Sequence, residues 1–197
     1  MMKQLVLLRH GQTEANKRWL YCGSSDIPLN SEGEEELKNL REQGSYPDIS
    51  GFKLYTSGLI RTEMTLKLLF GTEDSSPDHE ILPDFCEIDF GEFEMKSYYE
   101  LKDRESYKKW IESSSDKTAP GGEPETVFKK RVLNGLQYLL TKDENALVIA
   151  HGGPISAVME YLFPDENKTR YDWQPGGGHG YLIFFDGGKP VSYKAVP

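Results

Sequence analysis

Cysteine is scarce: Cys22 and Cys86 are the only two in 197 residues. They stand far apart with no CxxC spacing, which excludes a disulfide framework and a zinc ribbon and reads as reduced thiols in a cytosolic protein. Long apolar runs are missing too. Leu5 to Leu8 and Ala146 to Ala150 fall far short of the roughly 18 residues a membrane span needs. Lys3 and Gln4 lead into a run that ends at Arg9 and His10, which is unlike a signal peptide. Positive charge is outnumbered, 23 Lys and Arg against 32 Asp and Glu, for a net charge of −9. Nucleic acid and anionic membrane are therefore not expected partners, because both need clustered cations. An anionic substrate would meet a repulsive overall field and would need a local cluster of cations to hold it.

What is present suits one globular unit. The chain is 37% hydrophobic, 12% aromatic and 28% charged, close to the globular norm of roughly 25% charged. Collagen, coiled coil and wholesale disorder are excluded. With no repeat, low-complexity tract or linker, residues 1–197 read as a single domain that buries about 70% of its unfolded surface. Strands are expected at Lys3 to Leu8, Lys53 to Thr56 and Ala146 to Ala150. A terminal hairpin, Gly180 to Phe185 and Pro190 to Val196, turns at Asp186-Gly187-Gly188. Helices are expected from Ser31 (as N-cap) to Leu40, Leu59 to Phe70, Ser97 to Ser113, Pro124 to Leu140 and Pro154 to Phe163. Val127, Val132, Leu136, Tyr138 and Leu139 mark the apolar side of the fourth. Thr72 to Asp78 and Ser114 to Pro124 read as loops, and Ile81 to Phe93 as irregular. Alternating strands and helices imply an α/β fold, a three-layer α/β/α sandwich with a mostly parallel central sheet.

Two apolar strands end alike. Leu5-Val6-Leu7-Leu8 runs into Arg9-His10-Gly11, and Leu147-Val148-Ile149-Ala150 into His151-Gly152-Gly153. Ligands of open α/β sheets sit beyond the carboxyl ends of strands, often at helix N-termini. Either histidine alone is most simply a structural residue. The pair, with Arg9 beside one of them, points to function. Metal-ligand spacings such as HExxH are absent, as are the Walker and GxGxxG loops. A phosphate site fits better, with Arg9 offering a guanidinium fork.

The stretch Leu8-Arg9-His10-Gly11-Gln12-Thr13-Glu14-Ala15-Asn16 resembles the opening signature of the histidine phosphatase superfamily, the phosphoglycerate-mutase-like group. Further similar motifs follow in family order: Gly23 to Gly33, Thr56 to Thr62, Cys86 to Glu94, Pro120-Gly121-Gly122-Glu123 and Ala150 to Gly153. The resemblance spans essentially the whole chain and implies a phosphoglycerate-mutase-like fold. It also implies a metal-independent phosphomonoesterase with no cofactor, acting on a small-molecule phosphate ester. His10 would be the nucleophile that becomes a phosphohistidine, which a neutral imidazole can do at cytosolic pH. Arg9, Asn16, Arg61, His151 and Gly152, at the start of the following helix, would bind the phosphoryl group. Glu87 would be the general acid, a role that needs a carboxyl protonated above the range of a free glutamate.

Bland readings stand beside these. Taken alone, Arg61 is a surface arginine at a helix start, Asn16 a turn residue and Thr13 a cap. Composition cannot separate Glu87 from Asp84, Asp89, Glu92 and Glu94; the motif match selects Glu87, with Asp89 second. Tyr98, Tyr99, Tyr107 and Trp110 read first as packing and second as a box for the substrate. His79 reads as an ordinary loop histidine. His179, in Gly176-Gly177-Gly178-His179-Gly180, stays unassigned. The short, mixed-charge stretch Lys96 to Pro120 and the RHGQT opening resemble phosphatases more than mutases. Leu20 to Gly23, Met95 (where many relatives have Gly) and Tyr107 to Trp110 are similar to a branch whose substrate joins a ribose phosphate to an aromatic base. A broad sugar-phosphate phosphatase, a phosphoglycerate mutase and a non-catalytic phosphate-ester binder remain as alternatives. A homodimer is left open.

Overall fold

The computed structural model describes residues 2–113 and 116–197. The loop read from Ser114 therefore begins on two serines that lie outside the described residues. In chain order the elements are β1 (Lys3–Arg9), α1 (Glu14–Lys17), α2 (Ser31–Glu42), β2 (Lys53–Thr56), α3 (Ile60–Phe70), β3 (Glu80–Ile81), α4 (Tyr98–Leu101), α5 (Glu105–Glu112), α6 (Glu125–Thr141), β4 (Ala146–Ala150), α7 (Gly152–Leu162), β5 (Gly180–Asp186) and β6 (Lys189–Val196). The strands form one sheet in the order β3-β2-β4-β1-β5-β6. The first four are mutually parallel, and β5 and β6 add an antiparallel edge.

Side-chain alternation sorts the strands onto two faces. Leu5, Leu7, Val148 and Ile183 pack beneath α6 and α7 through Val132, Leu136, Ile155 and Met159. Val6, Leu8, Leu147, Ile149 and Leu182 pack beneath α2 and α3 through Leu37, Leu66 and Leu69. The result is the expected α/β/α sandwich. All five residues of β4 are buried, and each large one contributes about 1.5–3 kcal/mol. A third, smaller cluster of Phe93, Leu101, Tyr107 and Ala119 sits outside the sandwich.

Several local expectations need correction. The cap of α2 is Asn30, not Ser31, since its side chain accepts the Gly33 N–H at 2.8 Å. The helix read over 97–113 is two helices; at Arg104 the backbone is extended (ψ 132°), and Tyr107 and Trp110 of α5 pack on Phe93. On α6, Phe128 is buried, whereas Val127 and Tyr138 are exposed. α7 starts at Gly152 rather than Pro154, with His151 as its N-cap. Around the stretch read as irregular, Ile81 to Phe93, the strand Glu80–Ile81 reaches its first residue and the turns Pro83–Phe85 and Gly91–Phe93 lie within it. A two-residue strand is too short to carry a period.

Candidate active site

β1, β4 and β2 lie side by side and end together, so Arg9-His10, His151 and Ser57 converge. The backbone fixes the first pair. His10 N–H donates to Ala150 O (3.0 Å), and Arg9 N–H to His179 O (2.9 Å). His10 is 5% exposed and His151 is fully buried, with ring centroids 5.0 Å apart.

Each imidazole has a defined tautomer. His10 Nδ1 lies 2.7 Å from Gly11 O. A carbonyl only accepts, so Nδ1 carries the proton and Nε2 is left as a bare lone pair. Burial, then the charges of Arg61 and Arg9, push the imidazole well below its ordinary range, so the ring is neutral. His151 Nδ1 accepts from Arg61 Nε at 3.3 Å, and Nε2 faces Ser57 Oγ at 2.8 Å. A guanidinium only donates, so His151 is the Nε2–H form. Burial and neighbouring His10, Arg61 and Arg9 push its pKa well down too. The cations of the pocket are therefore Arg9 and Arg61.

Arg61, at the first turn of α3, is 1% exposed, so its surface reading fails. Its Nη1 and Nη2 donate to Ser25 O and Gly23 O, each at 2.7 Å. That loop is shaped by Glu94, which accepts the N–H groups of Gly23, Ser24, Ser25 and Phe90 and the Ser25 hydroxyl. Sequence reasoning left Glu94 unassigned; its signal is the spacing to a glycine-serine loop some 70 residues away, invisible without the fold. Arg9 Nη1 donates to Pro175 O (2.9 Å); burial lowers its pKa and Glu87 opposes that.

Glu87 sits at the N-terminus of α7. Its Oε2 accepts the Gly153 N–H (2.9 Å) and its Oε1 that of Ile88 (3.0 Å). A Cβ at Gly153 would lie 2.1 Å from Glu87 Oε1, so only glycine admits this approach. Pro154 has no N–H, which leaves Gly152 as the remaining donor of that first turn. Asp89 is instead occupied by Ser24 Oγ and the Gly91 N–H. Asn16 completes a capping box with Thr13: its Oδ1 accepts from Thr13 N and Oγ1, which leaves its NH2 to donate. Both thiols are raised by burial, against a reactive thiolate. The His179 ring faces Pro197 O (3.1 Å), not the site. Its glycine run meets the site through backbone: a Cβ at Gly177 would lie 3.2 Å from Gln12 N. His79 bonds Pro77 O and Glu63.

Beside Ile88 opens a cavity of about 440 Å³ walled by Tyr21, Phe90, Trp110, Tyr171, Arg170 and Gln174. The aromatic segment thus divides. Tyr107 is core, Trp110 lines the cavity, and Tyr98 and Tyr99 are exposed.

Two buried, neutral histidines at the ends of parallel strands, with Arg9 closing one of those strands and Arg61 on the first turn of α3, define a phosphoryl-handling α/β enzyme. The chain belongs to the histidine phosphatase superfamily: the description of branch 1 matches residues 5–193. It is accordingly a phosphatase, a phosphoric monoester hydrolase. Among relatives, the adenosylcobalamin/alpha-ribazole phosphatase of Salmonella typhimurium is 31% identical over 163 residues, covering 81% of this chain and 79% of the relative. A 2,3-bisphosphoglycerate-dependent phosphoglycerate mutase of Nitrobacter hamburgensis is 34% identical, covering 84% and 85%. The structure of a putative alpha-ribazole-5'-P phosphatase from Escherichia coli K-12 aligns with TM-score 0.86 at 25% identity, over 98% of this chain and 95% of that one. This is the branch that Leu20 to Gly23, Met95 and Tyr107 to Trp110 resemble.

Proposed function

We propose that the protein hydrolyses α-ribazole 5′-phosphate, a step in assembling the lower loop of cobalamin, through a phosphohistidine on His10 and without a metal. The observation that carries the mechanism is the His10 imidazole, held neutral with Nε2 bare beside Arg9 and Arg61. Nε2 attacks phosphorus in line. The N–P bond forms as the ester P–O bond breaks, and Glu87 gives its proton to the leaving ribose oxygen. Glu87, now a carboxylate, takes a proton from water as that water attacks phosphorus. The N–P bond breaks, phosphate leaves and His10 returns neutral. Arg9, Arg61, the Asn16 amide and the Gly152 N–H offset charge on the equatorial oxygens. His151 joins them once its Nδ1, now accepting from Arg61, takes the remaining proton of an ester bound as the monoanion and leaves it the dianion.

The substrate is supported by the cavity lined by Ile88, the residue that follows Glu87. Rings of Tyr21, Phe90, Trp110 and Tyr171 wall it, and a benzimidazole stacks well on such walls. The test is phosphate release, with EDTA present, from α-ribazole 5′-phosphate, ribose 5-phosphate and the phosphoglycerates. We expect α-ribazole 5′-phosphate to lead the panel, with kcat/KM of about 10⁴ M⁻¹s⁻¹ or more. Even, weak turnover across the panel would discard the named substrate and keep the chemistry. Phosphoryl transfer between phosphoglycerates would favour the mutase-like relatives. Loss of activity with EDTA, restored by zinc, would overturn the metal-free chemistry.

A further inference from the structure

The Pro120-Gly121-Gly122-Glu123 motif and the arginine eight residues beyond it have no part in the chemistry above. Arg131 projects from α6 and stays largely covered, with 23% of its side chain exposed against 15% for Glu123. Its Nε and Nη2 donate to the two carboxylate oxygens of Glu123, at 2.7 and 2.8 Å. Its Nη1 donates to Asp84 O and Cys86 O, both at 2.8 Å, and Nη2 donates again to Glu87 O at 3.0 Å. A guanidinium has five N–H groups, and all five are used. None is left for a substrate.

Three of the five acceptors are carbonyls of the segment that ends at Glu87. The carboxylate at the end of that segment rests on the Gly153 N–H, in a space too tight for a single added Cβ. The other end of the clamp is fixed as well, since the Glu123 N–H donates to Asp89 O at 2.9 Å. We propose that Arg131, held by Glu123, is a positioning residue for the proton donor: it sets the backbone of residues 84–87 so that the Glu87 carboxyl meets the leaving oxygen. The proposal rests on the reading of Glu87 as the general acid. Lysine cannot replace the clamp, because three donors on one nitrogen cannot span three carbonyls and a carboxylate fork. A misplacement near 1 Å costs about 10²-fold in rate.

The test compares Arg131→Lys, Arg131→Met and Glu123→Gln with Glu87→Gln, each alone and combined with Glu87→Gln. Two substrates are used, ribose 5-phosphate, whose leaving oxygen needs a proton, and p-nitrophenyl phosphate, whose leaving group does not. Melting temperatures are recorded beside kcat/KM. We expect the Arg131 variants to slow ribose 5-phosphate at least about tenfold and p-nitrophenyl phosphate far less. We also expect them to add almost nothing to the loss in Glu87→Gln. Equal slowing of both substrates in step with the melting temperature, or losses that add to that of Glu87→Gln, would overturn the positioning role. Equal slowing in Glu87→Gln alone would instead remove the reading of Glu87 beneath it. Should the Arg131 variants not fold, Glu123→Gln carries the same comparison, because it weakens the clamp without removing the cation.

Discussion

The phosphoryl pocket and the aromatic cavity beside it are built on different principles. The pocket is assembled from strand ends and helix starts of the sandwich itself, and hydrogen bonds fix its side chains while His10 Nε2 and the Asn16 amide NH2 keep bonding capacity for a ligand. Among the described residues no buried side-chain nitrogen or oxygen lacks a partner. The cavity wall comes from four separated places, Tyr21, Phe90, Trp110 and Tyr171, and three of these rest on the small cluster around Phe93 and Tyr107. Tyr21 holds that wall through a 2.6 Å contact between its hydroxyl and that of Tyr107 and a ring contact with Trp110 at 5.4 Å. The pocket thus sits on the central strands of the sheet. The cavity wall sits on a cluster outside the sandwich, so on the proposed function a change there should leave the pocket undisturbed.

That division predicts separable losses, the largest in the pocket. His10→Ala should lose about 10⁴-fold or more in turnover with an unchanged melting temperature; near-normal turnover would mean that the pocket is not the reacting centre. Glu94→Ala should lower both activity and stability, because it strips the loop that cradles Arg61 of its acceptor. A charge-assisted bond is worth about 1.5–3 kcal/mol, so urea unfolding should show a loss of at least that size; an unmoved midpoint would sink this role. Trp110→Ala should act on the cavity alone. It should cost about tenfold in kcat/KM for α-ribazole 5′-phosphate, at the low end of base stacking of about 1–3 kcal/mol, and leave ribose 5-phosphate within twofold. Equal losses on the two esters would show that cavity and pocket are not separable.

Smaller effects follow from protonation and backbone. His10 and His151 are held neutral, with folded pKa values below the unfolded one. As pH falls below about 6.5, the unfolded chain takes up these protons first, so stability is full above that pH and declines beneath it. The slope should be shallower in His10→Gln; identical slopes would contradict the assignment. The acid limb of the rate profile should likewise show no break near 6.5. Smallest of all, Met95 has φ 57°, which costs a non-glycine residue about 1–2 kcal/mol. Met95→Gly should therefore be neutral or stabilising by about 1 kcal/mol, read from thermal unfolding; a clear loss would mean that the Met95 side chain makes stabilising contacts that outweigh its backbone strain.

The same division explains what was legible in the sequence. Both strand-end histidines, Arg9 and the sandwich follow from short apolar runs and the residues that close them. Arg61, Glu87 and Asn16 came from motif similarity, since nothing in their local chemistry tells them from surface residues. Glu94 and Arg131 escaped because most of their partners are backbone groups about 70 and 45 residues away, and backbone partners leave no trace in side-chain spacing. The split between α4 and α5 escaped for a related reason: an aromatic-rich segment reads as one helix until the core it wraps is known. Asn30 was missed by one residue because Asn and Ser both make good caps.

The most direct test of the chemistry is to mix Glu87→Gln, in which breakdown of the intermediate is slow, with p-nitrophenyl phosphate, whose leaving group needs no proton, quench in alkali and map the phosphate by mass spectrometry. The mechanism predicts an alkali-stable, acid-labile phosphate on His10, absent in the His10→Ala form. A phosphate on His151, or none on the protein while turnover continues, would contradict it.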